Sequence, residues 1–315
     1  MLKVHLSATT IERMRNAHAR ALRDIILKRL NRAENNFLRS YFKSKTQVFE
    51  VLKCPTADLL DLNKDINDHF AGSHSPKQLK DAFKRVFNYK AFRKKNPSDY
   101  DGFDLCAEYG FVTCPYCNMA DIKTIRLKKS GKNLESPPLD HFHTQSKYPL
   151  LGLSFFNMIP SCWKCNSTYK KEQDTKSTTH LNPHMGGFEK NFVFGFTDIR
   201  NVDDILSKNR RNFNLSLLNK TGDVRFDGNN AILSLDIRYS DQKKAAIKAL
   251  RWARKSTPGE IKGIRELFGN SSLPYLEVMD AMYDFDEMHQ EQFSKLTRDI
   301  FDDYASAELR QLLGV

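Results

Sequence analysis

The chain has 315 residues and a mass of 36.5 kDa, enough for two or three structural units and a substantial buried core. Apolar residues make up 40% and charged residues 28%, which excludes a disordered, collagenous or low-complexity protein. The net charge of +12 is unevenly spread: residues 1–100 carry +11 and residues 274–315 carry −7. A basic front of this kind points to a polyanion partner, with a solvated basic helix surface as the bland alternative. No run of about 18 apolar residues is present, so no transmembrane helix and no membrane association are expected. The start, Met1 to Leu6, turns polar too early for a signal peptide, and the expected compartment is the cytoplasm.

In chain order, Thr9 or Thr10 can cap a first helix with Glu12 in its first turn. Ile11, Met14, Ala21, Ile25, Leu27 and Leu30 recur along it near helical period. A second helix is predicted over 75–95, started by Ser75-Pro76, striped by Leu79, Phe83, Val86 and Phe87, and broken by Asn96-Pro97-Ser98. From 105 to 198 cysteines, aromatics, Pro and Asn replace that periodicity, with β-like runs at 122–127 and 192–196. Phe192, Phe194 and Phe196 alternate as one buried strand face. Strand patterns are also predicted at 213–217 and 232–237, with a Thr221-Gly222-Asp223 turn before Val224. Helices return after Asp241, over 243–255, and again from Pro274 to near Leu313. The expected organisation is a basic helical region (1–104), a compact cysteine-rich centre (105–198) and a strand/helix region with an acidic helical tail (199–315).

Four of the six cysteines form two CxxC pairs, Cys114/Cys117 and Cys162/Cys165. In a reducing compartment, two such pairs read as a structural zinc site, because four thiolates complete a tetrahedral ion. The 44 residues between Cys117 and Cys162 exceed the usual ribbon spacing of about 15–20, so the chemistry is sought in that insert. Cys54 and Cys106 lack such partners and read as small buried hydrophobes.

The insert contains Leu139-Asp140-His141-Phe142-His143, then Tyr148-Pro149, and Phe155-Phe156-Asn157-Met158-Ile159-Pro160-Ser161 leading into the second knuckle, Asn166 and Lys170. In order and spacing the segment 105–198 resembles the zinc-stapled HNH endonucleases, the ββα-metal nucleases. The resemblance implies an α+β fold with a central zinc-stapled ββα-metal core, a helical N-terminal region and a mixed C-terminal region. It implies that His141 is the general base and Asp140 a ligand of a catalytic divalent cation, Mg²⁺ or Mn²⁺. Asn166 would be the second ligand, and Asn157 would hold the histidine backbone in place. Lys170 follows Asn166 by four residues and so shares its face on an α-helix, where it could contact the DNA backbone. His143 reads as a loop histidine or phosphate contact, with an alternative base role open. Thr144-Gln145 stands where the family usually has Pro-Lys. His180 and His184 flank Pro183 and are assigned to a loop, and Trp163 reads as a packing residue.

The expected function is therefore metal-dependent hydrolysis of phosphodiester bonds in DNA. The alternative is a non-catalytic zinc-knuckle module that binds nucleic acid. Related nucleases serve bacterial anti-phage defence or mobile elements, often beside an ATPase. The C-terminal apolar stripe (Met279, Met282, Phe285, Met288, Phe293, Leu296, Ile300, Phe301) could bind such a partner or a second copy, or simply form a domain core.

Overall fold

The computed structural model describes residues 3–4, 6–94, 100–126, 133–187, 192–197, 203–206, 213–255, 259 and 292–305. The fold is α+β, mostly helical, with small two-stranded antiparallel sheets.

Helix α1 (Ala8–Leu30) is capped by Ser7 rather than by Thr9 or Thr10; the Ser7 hydroxyl accepts the Thr10 amide at 3.1 Å. Its buried face follows Met14, His18, Leu22, Ile26 and Leu30, one residue in four. Ile11, Ala21, Ile25 and Leu27 of the expected stripe lie on half-buried flanks. Two helices that the apolar pattern did not reveal follow, α2 (Lys45–Lys53) and α3 (Leu59–Phe70). The reciprocal Ser44–Gln47 capping box was the available signal for α2. The single helix predicted over 75–95 is two. A Ser75–Gln78 capping box with Pro76 in the first turn starts α4 (Pro76–Val86), and Asn88 caps a separate α5 (Tyr89–Arg93). The Asn96-Pro97-Ser98 break lies outside the described residues. Asp101 starts α6 (Gly102–Tyr109), and Gly110 ends it at φ 63°, a left-handed cap that favours glycine. The expected boundary at 104/105 falls inside α6.

In the centre, β1 (Ile125–Arg126) pairs with β2 (Asn133–Glu135). Strand β3 (Leu139–His141) pairs with β4 (Met158–Pro160), setting Asp140 opposite Ile159 and His141 opposite Met158. From inside the second knuckle the chain forms a π-helical turn, Lys164–Lys170, rather than an α-helix. Strand β5 (Phe192–Thr197) pairs with β6 (Asn214–Asn219), and Phe192, Phe194 and Phe196 are all buried, as the alternation predicts.

The strand predicted at 232–237 does not form. After the short α7 (Asp203–Leu206), Asp223 caps α8 (Val224–Leu233) by accepting the Arg225 amide, and Ser234 turns at φ 49° into α9 (Leu235–Ser240). Leu233, Leu235 and Tyr239 are buried while Ile237, which would share a strand face with Leu233 and Leu235, is 68% exposed, so the buried set follows the two helices and not the alternation. Helices α10 (Lys243–Lys255) and α11 (Ser294–Tyr304) pack together, with Trp252 and Phe301 rings 4.3 Å apart. Leu296, Ile300 and Phe301 of the predicted C-terminal stripe are buried core, while Met279, Met282, Phe285 and Met288 lie outside the described residues.

Helix α11 is anchored by charge as well as by apolar contact. Lys295 donates to both Asp299 oxygens at 3.0 and 2.8 Å and to the Phe192 carbonyl at 2.6 Å, and Asp299 accepts the Phe194 amide at 3.0 Å. No helix among the described residues is long and apolar enough to cross a membrane. Removing one member of a buried pair strands the other, at a cost of about 3–5 kcal/mol. Asp299→Ala is therefore expected to lower the urea midpoint markedly, whereas Asp68→Ala, which breaks the exposed Lys64 pair, leaves it unchanged. Equal midpoints for the two variants would refute the anchor.

Candidate functional site

The two knuckles meet. All six cysteines are free thiols, and the sulfurs of Cys114, Cys117, Cys162 and Cys165 lie within 4.8 Å of one another, all buried. Zinc with bonds of about 2.3 Å in a tetrahedron needs sulfurs about 3.8 Å apart, and the Cys117–Cys162 sulfurs are 3.9 Å apart. The donor set fits a metal ion such as zinc. Each knuckle is closed by its own backbone: the Asn118 amide donates to the Cys114 carbonyl at 2.7 Å, and the Asn166 amide to the Cys162 carbonyl at 3.0 Å. Burial pushes the Cys114 thiol well above its ordinary range, while hydrogen bonding from Cys114 and the other cluster thiols holds Cys117 well below.

Each knuckle also sends a side chain to Asp140, which is 1% exposed. Tyr116, inside the first CxxC, donates its hydroxyl to Asp140 Oδ2 at 2.7 Å. Lys170, just past the second, sets its ammonium 3.2 Å from Asp140 Oδ1 and donates to the His141 carbonyl at 2.6 Å. Lys170, expected on the DNA backbone, is instead 1% exposed and committed to this ion pair. The i+5 pairing of the π turn, Lys171 amide to Asn166 carbonyl at 2.8 Å, replaces the α-helical register behind that expectation.

His141 is 9% exposed, and its Nε2 lies 2.9 Å from the Gly152 carbonyl oxygen. A carbonyl only accepts, so Nε2 carries the proton and Nδ1 of the neutral ring is the acceptor. Burial lowers the His141 pKa, which favours that neutral ring. The Tyr89 ring stands edge-on to it at 4.4 Å. Asn157 accepts the His143 amide at 2.7 Å and donates to the His143 and Leu151 carbonyls, both at 3.1 Å. It thereby clamps the chain just beyond His141. His143 is not a surface contact: it is fully buried, with Nδ1 3.0 Å from the Thr175 carbonyl. The Thr144 carbonyl accepts the Lys147 and Tyr148 amides, closing a turn.

Asp140, His141 and Asn166 line one cavity of about 470 Å³. Its other walls include Thr144, Gln145 and Ser146, the exposed Lys171 and Glu172, and Lys84, Asn88, Tyr89 and Lys90 from α4 and α5. The contribution of α4 and α5 was not legible, because no local pattern marks which exposed residues of a helix will face a site folded from another segment. Arg238 is likewise unforeseen: it donates from Nη1 to Cys165 Sγ at 3.3 Å. Trp163, expected to pack, is 69% exposed on the second knuckle, since the turn directs Cys162 and Cys165 inward and the residues between them outward. His180 and His184 lie in turns as expected, with His184 Nε2 3.0 Å from the Tyr109 hydroxyl. Cys54 and Cys106 are buried, and burial pushes their thiols up to about 12 and about 11.

Cys162→Ser is expected to abolish stoichiometric zinc in the purified protein and to lower its melting temperature, as measured by metal analysis and thermal unfolding. Native zinc content in that variant would contradict a four-sulfur site. A second expectation concerns acid. Burial holds His18, His143 and His184 down to about 4 from 6.5. Below pH 6.5 the unfolded chain takes up protons that these neutral rings refuse, so stability is lost as the pH falls from 6.5 to 4. The loss is on the order of 3 kcal/mol per ring. His18→Gln should shrink the difference between urea midpoints at neutral pH and at pH 4.5; an unchanged difference would exclude His18 as a source.

No protein-family profile, curated protein or solved structure matches this chain. What the structure establishes is an α+β protein with a buried four-cysteine cluster suited to a metal ion, beside a cavity that holds a carboxylate, an imidazole and an amide.

Proposed function

We propose that this protein is a metal-dependent endonuclease of the HNH type, hydrolysing phosphodiester bonds in DNA. The observation that carries the reading is the shared cavity: the adjacent Asp140 and His141 line the same concave surface as Asn166, which lies beyond the second strand and the second knuckle. Hydrolysis of a phosphodiester requires a base for the attacking water and a positive charge at the phosphate. His141 Nδ1 is the acceptor for the water proton, and the Gly152 carbonyl holds the ring in that tautomer. Asn157 fixes the backbone that follows the base and so its aim.

Asp140 and Asn166 would hold the divalent cation. One carboxylate and one amide oxygen are hard donors that suit Mg²⁺ or Mn²⁺, which keep several waters. The Tyr116 and Lys170 contacts engage each Asp140 oxygen once, and a carboxylate has about four lone-pair sites, so acceptor capacity remains. Such an ion supplies Lewis-acid stabilisation of charge on the scissile phosphate. Lys84, Lys90 and Lys171 line the same cavity and attract a polyanion without reading its sequence.

A non-catalytic zinc-knuckle module that binds nucleic acid is the second reading; the Lys170 ammonium on Asp140, which offsets the carboxylate charge, favours it. A plasmid-cleavage assay separates the two. The native protein with Mg²⁺ or Mn²⁺ is expected to convert supercoiled DNA to nicked or linear product. His141→Ala should lose at least about 100-fold in rate while keeping its zinc content and melting temperature. Because burial lowers the His141 pKa, the native rate should rise with pH through a midpoint below 6.5 and level off near neutrality. Cleavage by His141→Ala at the native rate would overturn the assignment of the base, and no cleavage by native protein with either ion would overturn the nuclease reading.

A further inference from the structure

The segment after β6 reaches the metal centre from outside. Arg238 on α9 donates from Nη1 to Cys165 Sγ at 3.3 Å and to the Leu233 carbonyl at 3.1 Å. Its guanidinium carbon lies 4.5 Å from the centroid of the Tyr169 ring. The neighbouring Tyr239, also buried, donates its hydroxyl to the Cys117 carbonyl at 2.5 Å. One short helix thus holds both knuckles.

Two physical consequences follow for Arg238. Four thiolates around a divalent ion carry excess negative charge, and a half-buried guanidinium bonded to one sulfur offsets it where water cannot. Cys165 and Tyr169 also flank Asn166 on the π turn, so a side chain gripping both fixes the segment that presents Asn166 to the cavity. Such π turns are rare and sit frequently at functional sites.

We propose that Arg238 is an outer-sphere residue of the four-cysteine metal centre, tuning the Cys165 thiolate through its N–H···S bond and positioning the π turn that carries Asn166. Arg238 is thus a positioning residue rather than a catalytic one. The inference rests on the metal reading of the cysteines alone and stands whether or not the protein cuts DNA.

The test uses the full-length chain loaded with Co²⁺, whose thiolate-to-metal charge-transfer band reports the electron richness of the sulfurs. Affinity is measured by competition with a chelator. R238M should bind Co²⁺ about 10- to 100-fold more weakly, with the band moved to lower energy, because a sulfur that loses a hydrogen-bond donor gives up its electrons more readily. R238K keeps the charge but loses the planar fork, so its affinity and band should fall between native and R238M. Y239F, which removes the hydroxyl from the Cys117 carbonyl without touching a sulfur, should leave the band in place. A purely structural role would lower the melting temperature without shifting the band. Native affinity and an unshifted band in R238M would overturn the proposal. If R238M does not fold, R238K decides: a shifted band supports the assignment and a native spectrum overturns it.

Discussion

Four sulfurs drawn into one small cluster are the constraint on which the rest of this structure depends. Two knuckles separated by 44 residues must close on each other, and the loop-closure entropy of that insert is offset only if something binds them together. Once they meet, the neighbours of the cysteines are no longer free to choose their surroundings. Tyr116 comes from one knuckle and Lys170 from beyond the other, and both converge on Asp140 between them. A buried carboxylate left bare would be costly; here a phenol and an ammonium satisfy it, and its position becomes a property of the four-cysteine cluster rather than of its strand.

The imidazole beside it is placed by a different device. The turn Pro149–Leu153 presents successive carbonyls inward, and each meets a polar side chain from elsewhere. Leu151 receives Asn157, Gly152 receives His141 and Leu153 receives His18 of α1 at 2.8 Å. One short turn therefore ties the first helix, the strand bearing His141 and the connector before β4 into a common frame. Gly152 is confined there: a Cβ would meet the Phe87 carbonyl at 3.2 Å and Gln145 Nε2 at 3.1 Å. The same Phe87 ends α4, whose Lys84 lines the cavity. The helical front is thus part of the site's wall, which gives its basic character a location as well as a sign.

The C-terminal elements close on the centre from the other side. Asn118, turned at φ 51° after the first knuckle, accepts the Ser294 hydroxyl at 3.1 Å and the Lys295 amide at 3.2 Å through Oδ1, and its carbonyl accepts the Phe293 amide at 2.7 Å. An asparagine far away in sequence therefore does for α11 what a local cap ordinarily does. With Arg238 and Tyr239, it makes the knuckles the junction between the centre and the end of the chain.

What could be read without coordinates were the features carried by residue identity and short spacing. The two CxxC pairs announced a cluster suited to a metal ion, because together they offer four sulfurs to one tetrahedral site. The Ser75-Pro76 start and the alternating Phe192, Phe194 and Phe196 encoded local structure in neighbouring residues. By contrast, the alternation at 232–237 read as a strand, and packing instead chose two bent helices that bury Leu233 and Leu235 and expose Ile237. Lys170 looked like a surface cation because an α-helical register was assumed; the π turn and the unpaired charge on Asp140 drew it inside. The α4 and α5 wall of the cavity, the tautomer imposed by Gly152 and the grip of Arg238 on Cys165 each join residues at least 11 apart in the chain. Sequence alone determined which chemical groups were present and which short segments had their own shape. Which groups share a cavity, a proton or a charge was decided only by the tertiary structure, because burial and Coulombic pairing depend on distance in space.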